Sequence, residues 1–186
     1  LAGPVDEILV PASVQSILAA RIDRLPAPVK RVLQVASVIG KEPPESALAM
    51  VAGTEENALD AAIRELIHSG FLYEAELYPE RVLAFRHPLT QEVAYGSQLS
   101  DQRTAAHAAA AHALIELEPE RHDELAALIS QHLAEGGETL EAARWTARAA
   151  NWAGYGHPED AMRLWARVSE LADELPDSEE RSALAV

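Results

Sequence analysis

The segment from Phe85 to Tyr95 contains the residues of this chain best suited to binding a charged group. The alternation of side chains from Val82 to His87 is typical of a short strand. Pro88 follows, and proline is favoured at the first position of a helix because its missing N–H is no loss there. The sequence therefore places His87 about where a helix N-cap would lie. There it is beside unsatisfied N–H groups and the positive end of the helix dipole, which attract phosphate or carboxylate groups.

The same residues have a plainer interpretation. His87 can be an ordinary helix-capping histidine that is satisfied by backbone groups, and one histidine is a weak motif by itself. Glu92 and Tyr95 lie on one face of the same helix and are interpreted as packing and capping groups. Arg86 has the length to reach a phosphate, but we interpret it as an exposed arginine at the edge of the hairpin.

The other histidines do not form the pattern of a metal site. His107 and His112 are separated by about 140° around a helix, unlike the i, i+4 pairs of zinc enzymes. The four remaining histidines have no ligand partner at good spacing; they are His68, His122, His132 and His157. Since cysteine is also absent, we predict neither a metal site nor a disulfide.

Motifs for nucleotide hydrolysis or covalent catalysis are missing. A phosphate-binding loop around Gly40-Lys41 would need a glycine at position 35 and Ser or Thr at 42, where the chain has Val35 and Glu42. There is no Gly-x-Ser-x-Gly and no cysteine nucleophile. Paired carboxylates such as Glu55-Glu56 and Glu179-Glu180 have no glycine-rich or apolar surroundings, so we interpret them as solvated acidic surface. We therefore expect no catalytic residues.

The charge balance argues against nucleic-acid and membrane partners. The 186 residues include 30 acidic and 15 basic side chains, a formal net charge of −15. This opposes non-specific binding to nucleic acids or anionic membranes, which depends on Lys and Arg. No stretch approaches a membrane span or a signal segment, and the lack of cysteine fits a reducing cytoplasm. We expect a cytoplasmic location, and we interpret a chain that starts at Leu1 as a piece of a larger protein.

Hydrophobic periodicity predicts helices around one hairpin. Four helices are predicted between Ser13 and Gly70, with Gly40 as a left-handed cap and Thr54 as an N-cap. The strands of the hairpin are predicted at Phe71–Ala75 and Arg81–Phe85, and Ser100 is a plausible cap for the helices beyond. Those helices are expected at about Asp101–Glu118, Arg121–Ala134, Leu140–Ala153 and Glu159–Glu174.

These elements predict a mainly α fold in two parts. Helices, a small β-hairpin and a following helix are the ingredients of a winged-helix domain, predicted at 11–99 after a linker at 1–10. The short connections beyond predict antiparallel helical hairpins at 100–186, and the last pair is close to a tetratricopeptide-like unit in length and pattern. The tryptophans are interpreted as core between these helices, with a concave partner surface as the alternative; they are Trp145, Trp152 and Trp165.

Five motifs together point to a known arrangement. They are Pro11-Ala12-Ser13-Val14-Gln15, Ala20-Arg21-Ile22-Asp23-Arg24-Leu25, Leu33-Gln34-Val35-Ala36-Ser37-Val38-Ile39-Gly40, the block from Phe85 to Tyr95, and Arg103 with His107. This set resembles the region that follows the nucleotide-binding core in bacterial signal-transduction ATPases with numerous domains, the STAND class. The resemblance covers about Val10 to Pro176. It is closest to the versions attached to class III adenylate/guanylate cyclases and next to those in large LuxR-type regulators.

The resemblance implies a role for one residue above all. In that family a winged helix follows the nucleotide-binding core and a small lid, and a tetratricopeptide-like sensor array comes after it. Phe85-Arg86-His87-Pro88-Leu89 resembles the Met-His-Asp-Leu block, whose histidine contacts the β-phosphate of ADP and holds the resting state closed. His87 is the implied contact, with ADP or ATP as the cofactor of the parent protein and none held by this piece alone. Pro88 replaces the family's acid, so any restraining hydrogen bond from that acid is absent.

Three functions are compatible with these observations. The first is a non-catalytic regulatory region that clamps an upstream nucleotide-binding domain and couples an array, which senses a protein or small-molecule inducer, to cyclase or transcriptional output. The second is a free-standing helical-repeat scaffold for protein interaction. The third is a DNA-reading winged helix, for which the fourth helix offers only Arg64 among acidic neighbours.

Overall fold

Nine α-helices and one antiparallel hairpin make up residues 12–176, the part of the chain that the computed structural model describes. The first part contains α1 Ala12–Asp23, α2 Ala27–Ile39, α3 Glu45–Ala52, α4 Glu56–His68, β1 Leu72–Glu76, β2 Val82–Phe85 and α5 Pro88–Gly96. The second part contains α6 Ser100–Leu117, a 3-10 turn at Pro119–Arg121, α7 His122–Glu135, α8 Thr139–Gly154 and α9 Pro158–Asp173. The predicted mainly helical fold with one small hairpin is confirmed. The linker predicted at 1–10, position 11, and the last stretch of the predicted array at 177–186 lie outside the described residues.

Helix α2 is the centre of the first hydrophobic core. Eight of its residues are buried, and it contacts α3, α4, α5 and α6. Fully buried leucines and isoleucines from the neighbouring elements pack around it; they include Leu48, Ile63, Leu66, Leu72 and Leu83. The helix begins after Pro26 with Pro28 in its first turn, where a proline is compatible with helical geometry.

The two strands of the hairpin pair with each other, and β2 also bonds to the chain just before α3. Leu72 pairs with Phe85 across the two strands, and the register shifts between Glu74 and Glu76. The N–H of Leu83 donates to the carbonyl of Pro43 at 3.0 Å, so the chain before α3 lies along β2. These bonds hold the end of β2, and with it the start of α5, against the first core.

Helix α6 belongs to both hydrophobic cores. Ala110 and Ala113 pack in the first core, whereas Ala111 and Leu114 pack in a second core formed with α7, α8 and α9. Beyond α6 each helix contacts the next one along the chain. Gly136, at the end of α7, comes so close to α6 that a Cβ atom there would lie 2.8 Å from the backbone nitrogen of Ala108.

Three predicted caps are wrong in detail. Gly40, at the end of α2, adopts φ 150° and ψ −162°, which is open mainly to glycine but is not the left-handed helical conformation. A left-handed cap is found at the end of α3, at Gly53. The hydroxyl of Thr54 donates back to the carbonyl of Ala52 at 3.3 Å, so α4 begins one residue later than predicted, after Glu55. Ser100 is already inside α6.

No helix within residues 12–176 is long and apolar enough to cross a lipid bilayer.

Candidate functional site

His87 lies at the junction of β2 and α5, as the sequence predicts. Its backbone is extended, with φ −140° and ψ 135°, and its carbonyl accepts the N–H of Thr90 at 2.9 Å. The imidazole does not cap the helix, and it meets no hydrogen-bond partner in the described part of the chain. The side chain is exposed. It can therefore donate a hydrogen bond to a group outside residues 12–176.

The neighbours of His87 leave this end of α5 open and basic. Arg86 is exposed, as predicted, while its backbone N–H donates to the carbonyl of Phe71 at 3.0 Å and extends the hairpin. Pro88 is exposed and occupies the first turn of α5. The imidazole of His87 and the guanidinium of Arg86 are thus both exposed next to the first turn of α5. This combination suits a phosphate or carboxylate group.

Tyr95 does more than the packing role predicted for it. Its hydroxyl lies 2.9 Å from Nε2 of His107, and the guanidinium of Arg103 lies over its ring at 5.0 Å from the ring centre. The predicted packing role does not suit Glu92, which is exposed, because its position on α5 faces solvent. Tyr95 thus packs against a neighbouring helix and Glu92 does not, although the sequence placed both on one helical face.

The structure brings together two histidines that the sequence kept apart. Nδ1 of His107 lies 2.9 Å from Nδ1 of His132, and the two side chains are 5% and 3% exposed. From the sequence, His132 is considered only as a metal ligand and this hydrogen bond is not predicted, because the contact joins α6 to α7 and spacing along one helix does not reveal it. One signal was present in the sequence: His132 is three residues after Ile129 and falls on the buried stripe of α7.

Burial keeps both rings neutral near pH 7. Desolvation, and then the charge of Arg103, lower the pKa of His107 from its ordinary value. Desolvation, followed by the charge of His107, lowers the pKa of His132 to about 4, although the backbone of Ile39 and the charge of Glu135 act in the opposite direction. Nε2 of His132 is buried without a partner of good hydrogen-bond geometry among residues 12–176.

A metal centre is not what this pair forms. The two Nδ1 atoms face each other, so they cannot both bind a metal ion in this arrangement. Within residues 12–176 no group of three or more histidines, aspartates or glutamates is arranged to hold a metal. His112 pairs instead with Glu138, with 3.0 Å between Nε2 and Oε1.

Basic side chains around the hairpin are engaged by carboxylates. Arg81, which sequence reasoning did not single out, contacts Asp60 of α4 at 3.2 Å, Glu74 of β1 at 2.8 Å and Glu45 of α3 at 3.6 Å. Arg64, the basic residue considered above as a possible DNA contact, pairs with Asp60 on the same helix. Arg81 thus links α3, α4 and β1, whereas the ion pair of Arg64 lies within α4.

The tryptophans do not all form the core that was predicted. Trp145 is half-buried against His122, with ring centres 5.2 Å apart, but Trp152 is 54% exposed and Trp165 is 40% exposed. The buried stripe of α8 consists of small residues instead, so the larger rings are left at its flank. Trp152 lines an open cleft of about 420 Å³ between α7, α8 and α9.

Neither protein-family models, curated proteins nor solved structures provide a match to this chain.

Proposed function

We propose that this chain is a non-catalytic regulatory region of a multidomain bacterial signal-transduction ATPase. Residues 11–99 act as a winged-helix domain that clamps an upstream nucleotide-binding domain in the same protein. Residues 100–186 act as a tetratricopeptide-like array that senses a protein or small-molecule inducer. The parent protein binds ADP or ATP and delivers its output as cyclic-nucleotide synthesis or transcription.

The observation that carries this proposal is the exposed, unpartnered imidazole of His87 at the start of α5. A histidine that merely capped its helix would be turned toward the helix N–H groups. Here the ring is available to a neighbouring domain, and a neutral imidazole can donate one N–H to a phosphate oxygen. Arg86, the preceding residue, is also exposed and carries a positive charge.

The order of the elements also supports the proposal. Four helices precede an antiparallel hairpin, and two residues separate the second strand from the next helix. Helices α6 to α9 then pack in sequence, each against the next, as expected for stacked helical hairpins. Helix α6 takes part in both cores, so it can transmit a change between the array and the domain that carries His87.

A nucleotide would act by favouring one of two domain arrangements. ADP bound in the upstream domain gains a contact with His87 only when the winged helix is docked, so ADP stabilises the closed state. Exchange for ATP changes that contact and shifts the equilibrium, by no more than the difference in affinity for the two states.

The test is substitution of His87 by alanine in the protein that joins this chain to its nucleotide-binding domain. A hydrogen bond to a charged group contributes roughly 1.5–3 kcal/mol, so ADP affinity should fall by about tenfold or more and basal output should rise. His157→Ala is the matched control, because His157 is also exposed, precedes a helix-starting proline and makes no capping bond. Unchanged ADP affinity and output in His87→Ala would remove the proposed role.

The scaffold alternative has one observation in its favour. Trp152, Tyr155 and Met162 are 54%, 90% and 74% exposed near the connection of α8 and α9. Exposed aromatic and methionine side chains are common where proteins meet. Substituting these residues would weaken partner capture without any change in nucleotide affinity if the chain were only a scaffold.

A further inference from the structure

Tyr95, His107 and His132 form a continuous chain of polar contacts across three helices. The hydroxyl of Tyr95 on α5 lies 2.9 Å from Nε2 of His107 on α6, and Nδ1 of His107 lies 2.9 Å from Nδ1 of His132 on α7. The chain borders a cleft of about 550 Å³ lined by residues of α2, α5, α6 and α7. It thus lies at the boundary between the first and second hydrophobic cores, which meet at α6.

The bond between the two rings depends on how many protons they carry. Contact between two Nδ1 atoms requires one to donate and the other to accept. With both rings neutral, Tyr95 can donate to Nε2 of His107, and Nδ1 of His107 can then donate to His132. One added proton still leaves a donor and an acceptor. A proton on both rings leaves two facing donors and two buried positive charges.

The surrounding charged groups do not offset the repulsion between two protonated rings. Arg103 of α6 lies over Tyr95 and adds positive charge beside His107. Glu135 of α7 is the charged group that favours a protonated His132, and it is exposed to solvent, which screens it. The remaining charged groups at the cleft are also exposed: Lys41 in the turn after α2 and Glu92 on α5.

We propose that the Tyr95–His107–His132 chain is a proton-operated latch between the helical array and the part of the molecule that precedes it. With at least one ring neutral, the chain holds α7 against α6 and α5. When both rings carry a proton, the Nδ1 contact breaks, α7 separates from α6 at this point and the cleft opens. This device goes beyond the proposed function and does not rest on it, because it needs no nucleotide.

The latch should open on acidification and close again as the pH rises. Desolvation lowers the pKa of both histidines. In the closed latch the two rings therefore stay unprotonated at pH values just below 6.5, where an exposed histidine would bind a proton. Lowering the pH from 6.5 toward 4 therefore favours the open form.

The experiment is amide hydrogen exchange on the 186-residue chain, with histidine ring titration by NMR. Between pH 6.5 and 4, protection in α7, corrected for the intrinsic pH dependence of exchange, should fall at least tenfold more than protection in α4. His132→Asn places a non-titrating amide near the position of Nδ1 and should abolish this difference. His157→Asn, at an exposed site just before α9, should leave it unchanged.

Two results would overturn the latch. One is loss of protection in α7 that matches the loss in α4, or that persists unchanged in His132→Asn. The other is obtained on the unsubstituted chain and so remains decisive if the variant does not fold: both buried rings titrate near pH 6.5. Neither result bears on His87, so failure of the latch is distinguishable from failure of the nucleotide-sensing role.

Discussion

His107 and His132 face each other through their Nδ1 atoms at 2.9 Å, and both side chains are almost completely buried. A buried polar pair of this kind fixes the relative position of two helices, because each ring satisfies the other only in one arrangement. The pair joins α7 to α6, the helix that both cores share. Its properties can be measured on the isolated chain.

Stability should decrease on acidification because of His132. The pKa of this residue is lowered from 6.5 to about 4, so between these values the unfolded chain binds a proton that the folded chain does not. Folding free energy contributed by the neutral ring is present above pH 6.5 and is lost as the pH falls. The loss amounts to about 3 kcal/mol at pH 4.

Urea unfolding at a series of pH values checks this prediction. The difference between the pH profiles of the unsubstituted chain and His132→Asn isolates the contribution of this histidine from that of the carboxylates. Superimposable profiles would contradict the buried neutral ring, and His157→Asn serves as the control for removing any histidine.

Gly136 should not tolerate a side chain. Its backbone conformation is ordinary for any residue, with φ −78°, but a Cβ atom would lie 2.8 Å from the backbone nitrogen of Ala108. Gly136→Ala should therefore destabilise the chain by about 1–3 kcal/mol, because α6 and α7 must move apart. Gly154→Ala is the matched control: a Cβ atom at that position would meet no neighbouring atom within 4 Å, and alanine should be neutral or stabilising there. Equal thermal midpoints for the two variants would refute the close approach of α6 and α7.

Arg81 should contribute more to stability than Arg64, although both contact Asp60. The side chain of Arg81 is 20% exposed and also reaches Glu45 and Glu74, whereas that of Arg64 is 66% exposed and pairs with one carboxylate. Arg81→Met should cost about 1–3 kcal/mol, since it leaves three carboxylates close together, and Arg64→Met should change stability by less than about 0.5 kcal/mol. Denaturant unfolding at low and high salt checks both, and the cost of Arg81→Met should shrink with salt. A larger effect of Arg64→Met would contradict the arrangement of these ion pairs.

The position of the elements could be predicted from the sequence because proline and glycine mark their ends. Four helices lie between Ser13 and Gly70 as predicted, with α1 beginning one residue earlier, and β2 ends at Phe85 as expected. Contacts between helices could not be predicted in the same way. The partner of His107 lies on another helix, and no spacing along one helix reveals it. The exposure of Trp152 was missed because the small residues of α8, rather than its large ones, face the neighbouring helices.

The position of His87 at the start of α5 could be predicted from the sequence, but the orientation and exposure of its side chain could not. A strand that ends before a proline places His87 at the start of α5 whatever the tertiary structure. Whether the ring turned toward the helix N–H groups or toward solvent depended on packing, and the ring is exposed.

The distance between the imidazole of His87 and the phosphates of bound ADP tests the proposed function most directly. It is obtained from a structure of the protein that contains both this chain and its nucleotide-binding domain, in the ADP-bound resting state. The account predicts a ring nitrogen of His87 within about 3 Å of a β-phosphate oxygen. A structure in which ADP is bound and the ring of His87 remains in solvent, away from the nucleotide, would contradict it.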